Sequence, residues 1–366
     1  MKFSIQREAL LKPLQQVIGA VERRHTMPML SNVLLRSKNF GMTITATDLE
    51  LELAARIETV VESGGGVTLP ARKLLDICRA LPDDAEIRVS ISDGKATIRA
   101  LRSRFVLATL PANDFPVIED IRGDRTVTIA QADLKRLIDR TAFAMAQQDV
   151  RYYLNGLLLH IENGLLRTVA TDGHRLAMCE LSTEVRSEAI YQVIIPRKAV
   201  HELQRLLSDS DHAIELELSA NHVRIDVGNL RFTSKLIDGR FPDYERVLPK
   251  DCDKTVLINR EALRQALTRT AILSSEKYRG VRLSLDGALM KLQSHNPDQE
   301  EAEEVIEIDY ASEPLEIGFN VTYLLDVLNV IDGENLEIKF KDASSSAMLK
   351  IPNSDQTLYV VMPMRL

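Results

Sequence analysis

The side chains best placed to do chemistry are Asp172 and His174, within Ala170-Thr171-Asp172-Gly173-His174-Arg175-Leu176-Ala177. A carboxylate beside an imidazole is the raw material of a general-base pair, and a hydrolase is the activity it would serve. Such a pair needs a partner. The sequence contains no G-x-S-x-G, no H-E-x-x-H and no G-x-x-x-x-G-K-[ST], so no nucleophile elbow, zinc helix or phosphate loop completes it. Two plainer roles fit the same residues. One is a turn in which Gly173 adopts an unusual φ; the other is the wall of a surface pocket with a few orienting polar groups.

The elements that must hold this stretch repeat along the chain. Ala46-Thr47-Asp48-Leu49-Glu50-Leu51-Glu52-Leu53 has the same frame without the Gly, His and Arg. A frame found twice is structural, and residues present in one copy carry an added task. A helix at 8–17, with Leu10, Leu14 and Val17 on one face and Pro13 placed early, returns at 133–142 and 262–271, both ending in Arg-Thr-Ala. A second helix recurs at 69–78, 195–203 and 319–328. Short apolar strands are expected at 33–35, 157–159 and 281–285, followed by turn signals at Asn39-Phe40-Gly41, Asn163-Gly164 and Asp286-Gly287. Further strands are expected at 86–91, 95–100 and 104–109, and Asp114-Phe115-Pro116 matches Arg240-Phe241-Pro242. Offsets near 124 to 129 residues hold through these anchors. The expected fold class is α+β: three tandem domains, each with two helices packed on antiparallel sheets, and linkers near Asp120–Arg125 and Pro249–Lys254.

Composition narrows the function. With 366 residues, 45% hydrophobic and 27% charged, the chain reads as two or three globular domains. No apolar run approaches the roughly 20 residues of a membrane span, and the first residues lack the apolar core of a secretory signal. Cys78, Cys179 and Cys252 form no CxxC pair, which fits a reducing cytoplasm. A net charge of −7 argues against an open-faced nucleic-acid binder. Yet Arg7, Lys12, Arg72, Lys73, Arg79, Lys135, Arg136, Arg140, Arg197, Lys198, Arg205, Arg264 and Arg269 lie in or beside the helices. They form either a phosphate-attracting face or solvated surface built from good helix formers. Glu300-Glu301-Ala302-Glu303-Glu304 is a solvated face, a metal site, or the complement of a basic edge at Arg99, Arg102 and Arg104. Gly64-Gly65-Gly66 reads as a flexible hairpin turn rather than a phosphate loop. The apolar end, Leu358 to Leu366, is either an adaptable partner-accepting wall or a plain edge strand.

Thr171-Asp172-Gly173-His174-Arg175-Leu176, Phe241-Pro242-Asp243-Tyr244, Gln148-Asp149-Val150-Arg151-Tyr152-Tyr153-Leu154-Asn155-Gly156 and Val361-Met362-Pro363-Met364-Arg365-Leu366, with the threefold repeat, make the whole chain resemble the bacterial DNA polymerase III beta-subunit family, the sliding clamps. The resemblance implies clamp domains at 1–122, 126–249 and 253–366. It implies a cytoplasmic, non-catalytic processivity factor with no cofactor or metal. Two chains would join head to tail as a homodimeric ring around duplex DNA, helices inside and sheets outside. DNA contacts carry over to Arg24, Arg72, Gln148, Tyr152, Tyr153 and Lys250. A partner-peptide pocket carries over to Leu154, Thr171, Gly173, His174, Arg175, Leu176, Pro242, Arg246, Val247, Val360, Met362, Pro363, Met364, Arg365 and Leu366. The dimer interface would join Lys73, Arg102, Arg104, Phe105 and Leu107 to Ile272, Leu273, Glu300, Glu301, Glu303 and Glu304. Implied partners are the DNA polymerase III alpha subunit, the clamp loader, translesion polymerases, mismatch-repair proteins and ligase, with no membrane. One departure is the polar run Ser344-Ser345-Ser346 near the pocket rim, where an apolar side chain can occur in the family. A monomeric peptide-binding scaffold is the alternative without a ring.

Overall fold

The computed structural model describes residues 1–22, 27–38, 41–118, 123–183 and 190–365. Arg24, Leu366 and the turn residues Asn39 and Phe40 lie outside the described residues, as do residues 120–122 of the first expected linker. The described residues contain six α-helices: α1 Arg7–Val17, α2 Ala71–Ala80, α3 Gln131–Thr141, α4 Arg197–Leu206, α5 Arg260–Thr270 and α6 Val321–Val330. They fall in pairs, as the repeat requires. In α1 the apolar stripe Leu10, Leu14 and Val17 is at most 1% exposed, which is what spacing of three and four residues achieves on a helix face. Pro13 corrects the sequence reading. It is the seventh residue of α1, beyond the free first turn, so the helix forgoes a bond to the Ala9 carbonyl and gains a buried ring there.

The chain forms two compact units, 1–132 with 205–236 and 133–204 with 237–366. Every sheet is antiparallel. The first unit holds a five-stranded sheet, ordered 61–63, 2–6, 86–92, 95–100 and 103–108. It also holds a nine-stranded one, ordered 110–111, 66–70, 32–38, 41–47, 51–58, 230–235, 222–227, 213–218 and 125–130. The second unit holds an eight-stranded sheet, ordered 191–196, 156–162, 165–171, 175–182, 357–361, 347–350, 335–340 and 254–259. Its four-stranded sheet runs 301–307, 289–295, 280–286 and 315–320. One rule recurs. The strand after the Ala-Thr-Asp frame pairs with the last strand of the following repeat: Leu51–Glu58 with Leu230–Lys235, and Arg175–Ser182 with Thr357–Val361. The remaining members of that series, Ser103–Ala108 and Glu301–Glu307, are sheet edges.

Gly64-Gly65-Gly66 is not a hairpin turn. It crosses from strand Val61–Ser63 in the five-stranded sheet to Gly66–Pro70 in the nine-stranded one. Gly65 has φ 145°, and a Cβ on Gly66 would meet that of Ala112 at 2.9 Å. The triplet is needed for close approach and backbone freedom, not for a two-residue loop.

The helix cations divide by task. Arg7, at the start of α1, donates to the Cys78 carbonyl at 2.8 Å and pairs with Asp83 at 2.7 Å, both at the end of α2. Arg260 does the same for α6, donating to the carbonyls of Leu328 at 3.0 Å and Ile331 at 3.3 Å. In the middle repeat Gln131 Oε1 accepts from the Ser208 N–H and hydroxyl, both at 2.7 Å. Arg140 donates to the Val330 carbonyl at 2.6 Å, and Arg205 to those of Gln15 and Gln16 at 2.9 and 2.6 Å. A helix C-terminus leaves carbonyls unpaired and carries partial negative charge, and a guanidinium answers both. Lys135, Arg136, Arg264 and Arg269 pair with Asp139, Asp133, Glu261 and Glu304. Lys12, Arg72, Lys73 and Arg79 are exposed on α1 and α2.

Candidate functional site

The two copies of the frame make one turn, and Ser294-His295-Asn296, at the matching place in the third repeat, makes a turn one residue longer. In the first, Thr47 Oγ1 accepts from Leu49 N–H at 3.1 Å, and Asp48 Oδ1 accepts from Glu50 and Leu51 N–H at 2.9 and 2.6 Å. In the second, Thr171 Oγ1 accepts from Gly173 N–H at 3.1 Å, and Asp172 Oδ1 accepts from His174 and Arg175 N–H at 2.9 and 3.0 Å. In the third, Asn296 Oδ1 accepts from the N–H groups of Asp298 and Glu300, both at 3.0 Å. Gly173 has φ 88°, and a Cβ there would stand 3.0 Å from the Arg151 guanidinium.

This geometry leaves the acid-base pair without its chemistry. The Asp172 carboxylate binds the His174 backbone and the Arg175 guanidinium at 3.1 Å. The exposed His174 imidazole stacks instead on Tyr323, centroids 6.3 Å apart. Arg175 is the centre of a staple. Its side chain is 12% exposed; it pairs with Asp326, donates to the Phe143 carbonyl at 2.9 Å, and lies 4.6 Å from the Tyr323 ring centroid. No group of three or more His, Cys, Asp or Glu among the described residues could hold a metal ion.

Beside this staple lies an apolar cluster on one face of the eight-stranded sheet. Register explains it: Ile194, Leu158, Val169, Met178 and Leu358 stand in one cross-strand row, and Leu176 faces Val360 on the strand pair that joins the two repeats. Phe241 and Tyr244 close over these residues, with Tyr153, Ile237, Leu248 and Met348 packed around them. Pro242, Arg246 and Val247 are exposed on the segment that carries Phe241 and Tyr244, and Arg246 pairs with Asp243 at 2.7 Å. The tail is fixed by the Met362 N–H donating to the His174 carbonyl at 2.9 Å, and that of Met364 to the Gly318 carbonyl at 2.8 Å. Met362 is 38% exposed.

The sequence-derived pocket set is therefore partly gathered. Leu176 and Val360 belong to the cluster; Leu154 is buried beside Tyr153, and Thr171 donates to the Arg175 carbonyl at 2.6 Å. Pro363 is half-buried between the two anchored tail residues. Met364 and Arg365 line a different cavity, of about 460 Å³, with Ser275, Tyr278, Arg282 and His295. The Ser344 N–H donates to the Asp342 carboxylate at 2.8 Å and, with the Ser344 and Ser345 hydroxyls at 2.8 and 2.9 Å, holds its carboxyl down to about 2. Sequence reasoning missed Tyr323, Asp326 and Phe143, which nothing local marks. It also missed the row from Ile194 to Leu358, whose strands are apolar on both faces and give no sign of which face serves the site.

The remaining candidates form separate groups. Gln148, at φ 55°, and Tyr152, 56% exposed, flank an exposed loop tip at Val150. Arg151 grips Asp149 at 2.9 and 3.0 Å and holds its carboxyl down to about 2. Tyr153 meets Tyr152 edge-to-face and turns toward the apolar cluster. Lys250 and Arg72 are exposed. On strand Ser103–Ala108, Arg104 is exposed, Phe105 half-buried and Leu107 buried, with exposed Arg102 just before it. On the other edge, Glu303 pairs with Lys291 at 2.9 Å and Glu304 with Arg269 at 2.7 Å, while Glu300 and Glu301 are exposed. Ile272 is 74% exposed, and Leu273 is half-buried.

Comparison with known proteins covers the whole chain. Three family profiles match: the DNA polymerase III beta subunit N-terminal domain at 1–119, its central domain at 128–243 and its C-terminal domain at 245–365. The beta sliding clamp of Pseudomonas aeruginosa is 55% identical and that of Escherichia coli 49%, each over 100% of both chains. The crystal structure of the P. aeruginosa clamp bound to griselimycin superposes with a TM-score of 0.96 at 55% identity, again over 100% of both chains.

Proposed function

Because the chain belongs to the DNA polymerase III beta-subunit family, the non-catalytic DNA sliding clamps, we propose that two copies close head to tail into a ring that keeps a polymerase on duplex DNA. The observation that carries this reading is the strand rule. The first two frame strands pair with the last strand of the next repeat, and the series leaves Ser103–Ala108 and Glu301–Glu307 as edges. A second copy supplies the missing neighbour for each, joining Arg102, Arg104, Phe105 and Leu107 to Glu300, Glu301, Glu303 and Glu304. An edge that pairs within a ring is no longer an aggregation template. Lys73, Ile272 and Leu273 flank this contact. The three domains are 1–122, 126–249 and 253–366.

Tethering is topological, so the DNA contacts at Arg24, Arg72, Gln148, Tyr152, Tyr153 and Lys250 need carry no base information. A net charge of −7 suits an exterior that repels DNA. The apolar cluster with Leu176, Val360, Pro242, Val247 and Met362 takes a short segment with apolar anchors. Its users are the polymerase III alpha subunit, the clamp loader, translesion polymerases, mismatch-repair proteins and ligase, in the cytoplasm. Griselimycin, to which the P. aeruginosa clamp is bound in its crystal structure, is the probe with which occupancy of this cluster can be tested. Native mass spectrometry at micromolar concentration should find two chains, and loaded protein should persist on circular DNA while leaving a linear duplex by its ends. A persistent monomer, or equal loss from both DNAs, refutes the ring.

A further inference from the structure

Next to the apolar row lies a polar one. His160 on strand Gly156–Glu162 faces Arg167, and Arg167 faces Glu180. Tyr244 spans both rows. Its ring is in the cluster, and its hydroxyl lies 2.7 Å from His160 Nδ1. His160 and Tyr244 are each 4% exposed, and their rings meet edge-to-face.

The partners assign the protons. Arg167 donates to Glu180 at 2.5 Å, and its positive charge acts on the Tyr244 oxygen. The Tyr244 hydroxyl then donates to His160 Nδ1, and the imidazole keeps its own proton on Nε2, 3.5 Å from the Glu162 carboxylate. The opposite tautomer would set a bare Nε2 lone pair against that carboxylate.

The segment held by this chain of bonds has few other supports. Residues 236–243 contain no helix or strand. The Leu236 and Ile237 N–H groups donate to the Asn221 and Ile194 carbonyls at 2.8 and 2.9 Å at its start, and the Val247 N–H to the Tyr244 carbonyl at 3.0 Å at its end. Between them, Phe241 and Tyr244 are the buried anchors.

We propose that buried His160 and half-buried Arg167 form a polar strut that sets Tyr244, and through it Pro242, Arg246 and Val247, in the position a partner segment meets. The proposal rests on reading the cluster as the peptide pocket. His160 touches no ligand; it is a positioning residue.

The strut is built for a neutral imidazole. Burial lowers the His160 pKa, and Arg167 works in the same direction, against Glu162 and Glu245. Protonation puts a hydrogen on Nδ1, and the Tyr244 hydroxyl must then turn its own proton away. A depressed histidine pKa means that an opened segment takes up a proton the closed strut refuses, so closure weakens as pH falls below about 6.5.

The test is calorimetric titration of the full-length protein with griselimycin. Tyr244→Phe, which removes one oxygen, and His160→Leu should each weaken binding about fivefold at pH near 8, and the double variant no more than either single one. His160→Asn keeps an acceptor where Nδ1 stood. It should bind within about twofold of wild type and lose the wild-type weakening between about pH 7.5 and 5.5. Single variants that bind as wild type, additive losses, or an unchanged pH slope in His160→Asn overturn the strut. Met362→Lys separates the two readings. If it abolishes binding while the strut variants do not, only the strut fails; if it too binds normally, the pocket reading itself falls.

Discussion

The turn after Thr47 and the turn after Thr171 are one backbone object carrying different side chains. Both have a threonine hydroxyl accepting one N–H and an aspartate accepting two. Both hold a residue at positive φ, Leu49 at 80° and Gly173 at 88°. The first turn exits into Leu51, 1% exposed and part of the core. The second exits into Arg175, which joins Asp172, Asp326, Phe143 and Tyr323 and so fixes the border between the middle repeat and the third. The repeated hydrogen-bonding frame is a platform, and the residue at its exit decides what the platform holds.

Importing the first copy's residue should break the second. Arg175→Leu leaves Asp326 facing an apolar group, and urea unfolding should show a loss of about 3 kcal/mol. Adding Asp326→Leu should restore part of it, because removing both charges costs less than stranding one. The aspartates come next. Asp48→Ala should cost about 1 kcal/mol through its two lost N–H bonds, and Asp172→Ala about 2 because it also releases Arg175. Equal losses would mean that Arg175 draws nothing from its own turn. The smallest contrast lies in the residues at positive φ. Gly173→Ala should destabilise by about 1 kcal/mol, since it adds backbone strain and crowds Arg151. Leu49→Gly should fall within about 1 kcal/mol of neutral, because relieved strain offsets a half-buried side chain. Thermal melts of the pair would show whether Leu49 is strained.

Much of the fold is legible in the chain. Six helices lie within a few residues of where apolar spacing puts them, because that spacing is a local consequence of helix geometry. Asn163 and Gly164, with φ 46° and 82°, form the turn their types announce. The same local logic misreads Gly64-Gly65-Gly66, since glycine freedom serves a hairpin and a crossing between sheets alike. It also misplaces Pro13, because burial of the ring outweighs a lost hydrogen bond. The site is less legible than the fold. Arg175 could be named as a site residue, but not its role as a staple, since Phe143, Tyr323 and Asp326 come from distant stretches.

The sequence by itself determined the threefold repeat, the paired helices, the frame turns and the family, because each is written in neighbouring residues or in a fixed offset. The tertiary structure decided which face of the apolar strands forms the cluster, which helix arginines serve carbonyls rather than solvent, and where His160 meets Tyr244. Those outcomes depend on strand register and on groups 68 residues apart or more, and no local pattern encodes a distance between residues that only folding brings together.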